Sequence, residues 1–317
     1  MNIAELGLPM VIPAPDAPAR VTIWEVGPRD GLQNEAEILP TAIKIEFIER
    51  LAVAGLSIIE ATSFVPARWV PQLADAAEVM AGLSPSASVR FPVLVPNERG
   101  LNLALAAGAQ EIAVFGSVTE SFARKNLNRT YDEQWAMFEP VVAKARAEDM
   151  SVRGYLSMCF GDPWEGPVAL ERVVDAVGHL RDLGCTEFSL GDTIGVATPG
   201  HVRALMIALR DSGIGLDLVG IHCHDTYGQA LANTVAAIEV GVRTVDSSAG
   251  GLGGCPYAKS ATGNLATEDV VYALHGMGFD TGVDLSALAE TSRWMSDILG
   301  RPSQSRVVRA MQPYSVQ

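Results

Sequence analysis

The chain has 317 residues, 48% hydrophobic and 19% charged, enough for a large core in one big domain or two small ones. Its 23 Lys and Arg against 37 Asp and Glu leave a net charge of −14, which argues against nucleic acid or an anionic membrane surface as a partner. No apolar run reaches the ~18 residues of a membrane span, and four cysteines without a CxxC pair (Cys159, Cys185, Cys223, Cys255) fit a reduced cytoplasm better than a disulfide scaffold.

Residues 1–20 are proline-containing, with no basic residue before Arg20, and read as a short arm, not a targeting segment. Strand patterns then follow at "VTIWEVG" (21–27), "SIIEATS" (57–63), "VRFPVLV" (89–95), "EIAVFGS" (111–117), "VRGYLSMC" (152–159), "EFSLGDT" (187–193), "LVGIHCH" (218–224) and "TVDSSAG" (244–250). Helical patterns fall between them, as at Thr41–Ala54, Asn97–Ala107, Val168–Leu183, Pro199–Asp211 and Gln229–Val240. Gly55, Gly108, Gly184 and Gly241 stand where helix ends favour a left-handed residue. Eight such units predict an α/β fold, a (β/α)8 TIM barrel over residues 21–300. A doubly wound open sheet is the alternative, but no GxGxxG opens the first unit. "SALAETSRWMSDILG" (286–300) reads as an extra C-terminal helix, and 301–317 as a tail.

In a TIM barrel the chemistry sits at the C-terminal ends of the strands. Strand one ends with Arg29, Asp30 and Gln33; strand two holds Glu60; strand six ends with Asp192; strand seven ends with His222 and His224. Charged groups in apolar strands are costly unless paired, so they are expected to converge. Residues i and i+2 of a strand share a face, so both imidazoles point one way and Cys223 the other. With Asp30 they form a facial set of two nitrogens and a carboxylate that leaves coordination positions open. Such a set suits Mg²⁺ or Mn²⁺, with Zn²⁺, Co²⁺ or Fe²⁺ as alternatives. The competing reading is two core histidines bonded to backbone. Arg29 is either a structural ion pair with Asp30 or the cation that stabilises an enolate. Glu60 is either a core carboxylate bonded to Arg29 or part of the site. Cys255, in the glycine-rich loop 250–264, reads as a reactive cysteine over the barrel mouth. His201, His275 and Cys185 read as ordinary, and Cys159 as bordering the site.

Several stretches together resemble the 3-hydroxy-3-methylglutaryl-CoA lyase family. They are "VTIWEVGPRDGLQNE" (21–35), "IIEATSFVPARWVPQLAD" (58–75), "SLGDTIGVATPG" (189–200), "GIHCHDTYGQALAN" (220–233) and "SSAGGLGGCPYAKSATGNLATEDVVY" (247–272). The likeness runs from about residue 21 to residue 300. It implies Asp30, His222, His224 and Asn264 as ligands of a divalent cation, with Arg29 holding the enolate of the departing acetyl-CoA. It implies Asp192 or His222 as acid/base, Cys255 as the mobile catalytic cysteine, and Gln33, Ser63 and Tyr155 about the substrate. Glu60 and Glu268 would support them, Glu268 by bonding to the closing loop. The implied reaction is a retro-Claisen cleavage of 3-hydroxy-3-methylglutaryl-CoA to acetoacetate and acetyl-CoA, as in leucine degradation and ketone-body formation, by a cytoplasmic homodimer or other homo-oligomer. Close members of that family carry a second cysteine where Asp162 stands in "CFGDPWEG", a region bordering the acyl pocket. Lys125, Asn126 and Arg129 are candidates for the CoA phosphates.

Two other functions compete. One is the same chemistry on another 3-hydroxyacyl-CoA such as citramalyl-CoA, since one methylene of pocket is worth only ~1–3 kcal/mol. The other is a non-catalytic metal- or CoA-binding barrel, against which the intact residue set argues. A synthase would be expected to carry a long C-terminal regulatory region.

Overall fold

The computed structural model describes residues 9–13, 20–84, 87–254 and 263–311. Strand β1 (Thr22–Glu25) and helix α1 (Thr41–Val53) open the alternation, followed by β2 (Ile58–Ile59), β3 (Thr62–Ser63), α2 (Ala76–Gly82), β4 (Val93–Leu94) and α3 (Glu98–Ala106). Then come β5 (Glu111–Ser117), α4 (Glu120–Leu127), α5 (Tyr131–Ala147), β6 (Ser151–Ser157), and a hairpin of β7 (Gly161–Asp162) and β8 (Gly166–Pro167). The chain continues through α6 (Leu170–Leu183), β9 (Glu187–Asp192), α7 (Pro199–Asp211), β10 (Val219–Cys223), α8 (Ala230–Val240), β11 (Thr244–Ser247), α9 (Thr267–Gly276), α10 (Leu285–Ile298) and α11 (Arg306–Ala310).

Nine parallel segments form one sheet in the order β2-β1-β11-β10-β9-β6-β5-β4-β3. Its two outer segments are consecutive in the chain. Ile59 N donates to Arg90 O at 3.0 Å, Glu60 N to Glu25 O at 2.8 Å and Ala61 N to Pro92 O at 2.9 Å, so this stretch exchanges bonds with both of its neighbours, residue by residue. That exchange closes the sheet into the expected eight-stranded TIM barrel. Pro92 has no N–H, which is one reason the run at 89–95 pairs regularly only over Val93–Leu94.

The helices start where the sequence supplies acceptors. Asn97 caps α3 by accepting Gly100 N at 3.0 Å, and Thr130 with Glu133 forms a capping box at α5. Positive φ occurs at all four expected glycines, and Gly184, at φ 106°, closes α6. Alternate strand residues such as Ile23, Leu190, Ile221 and Val245 face outward into one continuous core with Phe47, Phe138 and Leu180 of the helices. Inside the barrel, among the described residues, lie two small apolar groups, Trp24 with Val26 and Ile58, and Leu94 with Ala113 and Tyr155. Polar and charged side chains, among them Ser189, Arg153, Glu60 and Asp246, share the interior with them. The described part of the expected tail folds back as α11, where Ser305 Oγ donates to Asp269 Oδ1 at 2.7 Å.

Candidate active site

β1 runs directly into a π-helical turn, Gly27–Gly31, in which the N–H groups of Arg29, Asp30 and Gly31 converge on Val26 O at 3.2, 2.7 and 3.1 Å. Such turns are frequent at functional sites. Here the turn sets two consecutive charged side chains over the barrel mouth. Gly31 is required by close approach: a Cβ there would stand 2.8 Å from Leu252 Cβ.

Asp30, His222 and His224 each offer a ligand atom, all within 4.8 Å of one another. The two imidazole centroids are 5.4 Å apart. Asn264 joins them because its backbone bridges His224 at the end of β10. Its Nδ2 donates to Asp30 Oδ2 at 2.8 Å. Two buried atoms of this group, His224 Nδ1 and Asn264 Oδ1, have no hydrogen-bond partner among the described residues. Buried polar atoms are normally satisfied, so unpaired lone-pair donors beside a carboxylate fit a cation. The charges agree with that. Arg29 and Arg153 face three buried or half-buried carboxylates, Asp30, Glu60 and Asp246. Burial alone would raise the Asp30 carboxyl, but Arg29 and the two histidines outweigh it and hold it at about 2. Burial, then His222, pushes His224 down to about 4, so it is the neutral imidazole that a metal needs.

Arg29 is buried and spans two acids. Its Nε donates to Glu60 Oε1 at 2.8 Å and its Nη1 to Asp30 Oδ1 at 2.6 Å. Burial opposes its charge, but Glu60 and Asp30 more than offset that and raise its pKa. Nη2 has no partner among the described residues. Glu60 also accepts from Trp24 Nε1 at 3.3 Å and from the Tyr155 hydroxyl. Its scaffold reading and its site reading are therefore one arrangement. Gln33 Nε2 donates to Asp30 Oδ1 at 3.2 Å.

Beneath this layer lies a group that sequence reasoning missed. Asp246 Oδ1 accepts from Arg153 Nη2 at 2.7 Å, and Oδ2 from Ser189 Oγ at 2.7 Å. Oδ2 also lies 3.4 Å from His222 Nδ1. The Arg153 guanidinium sits 3.8 Å above the centre of the Trp24 ring. The available signal was parity: Arg153 and Tyr155, two apart, share a face as the two histidines do.

Several expected residues stand elsewhere. Asp192 does not line the cleft. Register pairs His222 with Gly191 and Cys223 with Asp192, which puts Asp192 on the outward face. Its oxygens accept from Val196 N at 2.9 Å and Ala197 N at 3.1 Å, which anchors the loop that carries Thr193 into the cleft. Burial raises its carboxyl to about 6. Ser63 is buried and does not line the cleft, its hydroxyl accepting from Val65 N at 3.2 Å. Cys159 is buried and donates to Leu156 O at 3.2 Å instead of bordering the site. Asp162 does not border the pocket either. It accepts from Thr119 Oγ1 at 2.6 Å and from the amides of Trp164 and Glu165 at 2.7 and 2.9 Å, organising the β7–β8 hairpin. Lys125 and Asn126 line the cleft; Arg129 does not. Cys255 lies outside the described residues. The ends of its loop are described. Glu268 accepts Gly250 N at 3.0 Å, and a Cβ on Gly263 would lie 1.9 Å from Gly253 O, so the loop leaves and returns at one point.

The cleft above these groups has a volume of about 440 Å³, within the usual range for small-molecule sites. Arg29, Asp30, Tyr155, His222 and His224 form its floor, and Trp69, Phe122 and Lys125 are among its other lining residues. Among the described residues, no helix is long and apolar enough to cross a membrane. The HMGL-like family model matches residues 20–295. The cytoplasmic 3-hydroxy-3-methylglutaryl-CoA lyase of Rattus norvegicus is 51% identical over 92% of this chain and 85% of its own. The mitochondrial hydroxymethylglutaryl-CoA lyase of the same species is 50% identical over 92% and 90%. The crystal structure of hydroxymethylglutaryl-CoA lyase from Pseudomonas aeruginosa superposes with a TM-score of 0.91 at 44% identity, covering 93% of this chain and 98% of that one. Barrel, ligand set and relatives agree, and the chain belongs to the HMGL-like family of lyases.

Proposed function

We propose that this protein cleaves 3-hydroxy-3-methylglutaryl-CoA to acetoacetate and acetyl-CoA by a metal-dependent retro-Claisen reaction. The observation that carries the reading is the meeting of Asp30, His222, His224 and the unpaired Asn264 Oδ1 beside Arg29. Asp30, His222, His224 and Asn264 would hold the ion, Mg²⁺ or Mn²⁺ by the oxygen and nitrogen donors. When bound, it supplies Lewis acidity that lowers the pKa of the substrate hydroxyl.

The remaining work falls to the chain. Neither candidate base is free: Asp192 does not line the cleft, and His222 would give one nitrogen to the ion while Nδ1 faces Asp246 Oδ2, so the hydroxyl proton leaves to water in the cleft. Breaking the carbon–carbon bond leaves a negative charge on the thioester oxygen. Arg29 meets it with Nη2, since Glu60 and Asp30 occupy the other two nitrogens and fix the guanidinium plane. Gln33 and Tyr155 border the substrate, and Lys125 and Asn126 meet the CoA moiety. Cys255 returns a proton to the enolate carbon as its loop excludes water. The site of action would be the cytoplasm, and the assembly a homo-oligomer.

The test is turnover of 3-hydroxy-3-methylglutaryl-CoA and citramalyl-CoA in parallel, with stripped protein reloaded with Mg²⁺ or Mn²⁺. Metal-dependent acetoacetate release that collapses in Cys255→Ala supports the proposal. Pyruvate release alone keeps the mechanism and changes the substrate. Bound metal with neither product overturns the lyase reading for both substrates.

A further inference from the structure

His222 can serve a metal through only one ring nitrogen, and something must decide which. In a neutral imidazole one nitrogen carries the proton and the other the lone pair. Nδ1 of His222 faces Asp246 Oδ2 at 3.4 Å. That carboxylate is completely buried and held by two fixed donors, Arg153 Nη2 and Ser189 Oγ, each at 2.7 Å. A lone pair on Nδ1 would confront the lone pairs of Oδ2; a proton there makes a hydrogen bond. The Tyr155 ring stands edge-on to the imidazole, 6.4 Å away at 88°, and limits its rotation.

We propose that Asp246 is a positioning residue for the metal centre: held by Arg153 and Ser189, it accepts Nδ1–H of His222 and so makes Nε2 the nitrogen presented to the ion. This rests on Asp30, His222 and His224 being the ligands. Outer partners of this kind orient a ligand and fix its tautomer. Asparagine would reverse the arrangement. Arg153 would keep the amide oxygen at the Oδ1 position, and the amide NH₂ at Oδ2 would donate to Nδ1, moving the ring proton to Nε2.

The experiment compares wild type with Asp246→Asn, Ser189→Ala and Asp30→Asn. Mn²⁺ affinity is measured by electron paramagnetic resonance, and the His222 tautomer by ¹⁵N shifts of metal-free, histidine-labelled protein. Wild type is expected to show Nδ1–H. Asp246→Asn should show Nε2–H and bind Mn²⁺ about 10- to 100-fold more weakly. Ser189→Ala should move both readouts the same way by less, and Asp30→Asn should lose Mn²⁺ with the tautomer unchanged. A folded Asp246→Asn with unaltered tautomer and affinity overturns the proposal. If that variant fails to fold because buried Arg153 loses its counter-charge, unaltered values in Ser189→Ala overturn it. Wild type that binds no Mn²⁺ overturns the metal reading itself, whereas binding indifferent to both variants overturns this inference alone.

Discussion

Glu60 meets Arg29 Nε at 2.8 Å, and the same residue's backbone N–H bonds Glu25 O where the barrel closes. The side chain that orients Arg29 thus stands on the closure point of the scaffold. Glu60→Ala leaves Arg29 buried with one partner lost, and is expected to cost about 3–5 kcal/mol in urea unfolding. Glu60→Gln keeps the shape and one acceptor, so it should cost less stability and mainly lower kcat. Equal stability of wild type and Glu60→Ala would refute the ion-pair account.

Arg29→Lys tests the guanidinium geometry. An ammonium cannot span Glu60 and Asp30 and still present a third donor. A loss of about 10²- to 10³-fold in kcat is expected, with the circular dichroism spectrum retained. Near-normal turnover would remove Arg29 from the enolate step.

Chelator treatment should abolish activity, and Mg²⁺ or Mn²⁺ should restore it. Asn264→Ala deletes the unpaired Oδ1 and the Asp30 contact together. Titration calorimetry should show weaker Mn²⁺ binding by about tenfold or more. An unchanged isotherm would mean that Asn264 is no ligand.

Asp192→Asn separates an anchor from a base. Its oxygens are engaged by two loop amides on the outward face. Asparagine keeps one acceptor, so kcat should fall by less than about tenfold, and the acid limb of the kcat profile should stay in place. Loss of that limb would restore Asp192 as the acid/base.

Two buried carboxyls make stability depend on pH. Burial raises Glu25 from 4.5 to about 7, against hydrogen bonds from Thr267 Oγ1 and the amides of Ala249 and Gly27. Burial likewise raises Glu268 to about 7. Between about pH 4.5 and 7 the folded state holds protons that the unfolded chain has lost, so their contribution is full below 4.5 and is lost as pH rises through 7. Glu25→Gln imitates the protonated form at every pH. Relative to wild type, its stability should rise by about 3 kcal/mol between pH 4 and pH 8. A constant difference between the two melting profiles would show that Glu25 titrates normally.

Much of the site was legible from local spacing. His222 and His224 announce a shared face by standing two apart, and the Arg29–Asp30 pair marks the end of a strand. Asp246 was not legible, because one aspartate in "TVDSSAG" carries no sign of its partners, which come from β6, β9 and β10. Asp192 was placed by chain position without regard to alternation, and alternation turned it outward. Asp162 was placed by its neighbourhood, yet its carboxylate is consumed by the turn it begins. Closure of the barrel through residues 58–61 rests on hydrogen bonds to two different strands, which no single stretch of sequence encodes.

The contact of Gly253 with Gly263 has a consequence for the loop it closes. Because the two ends meet, the length and composition of 254–262 are uncoupled from the register of the barrel. A change of length between them leaves every described strand pairing in place. The loop and the barrel are thus joined at one pair of glycines.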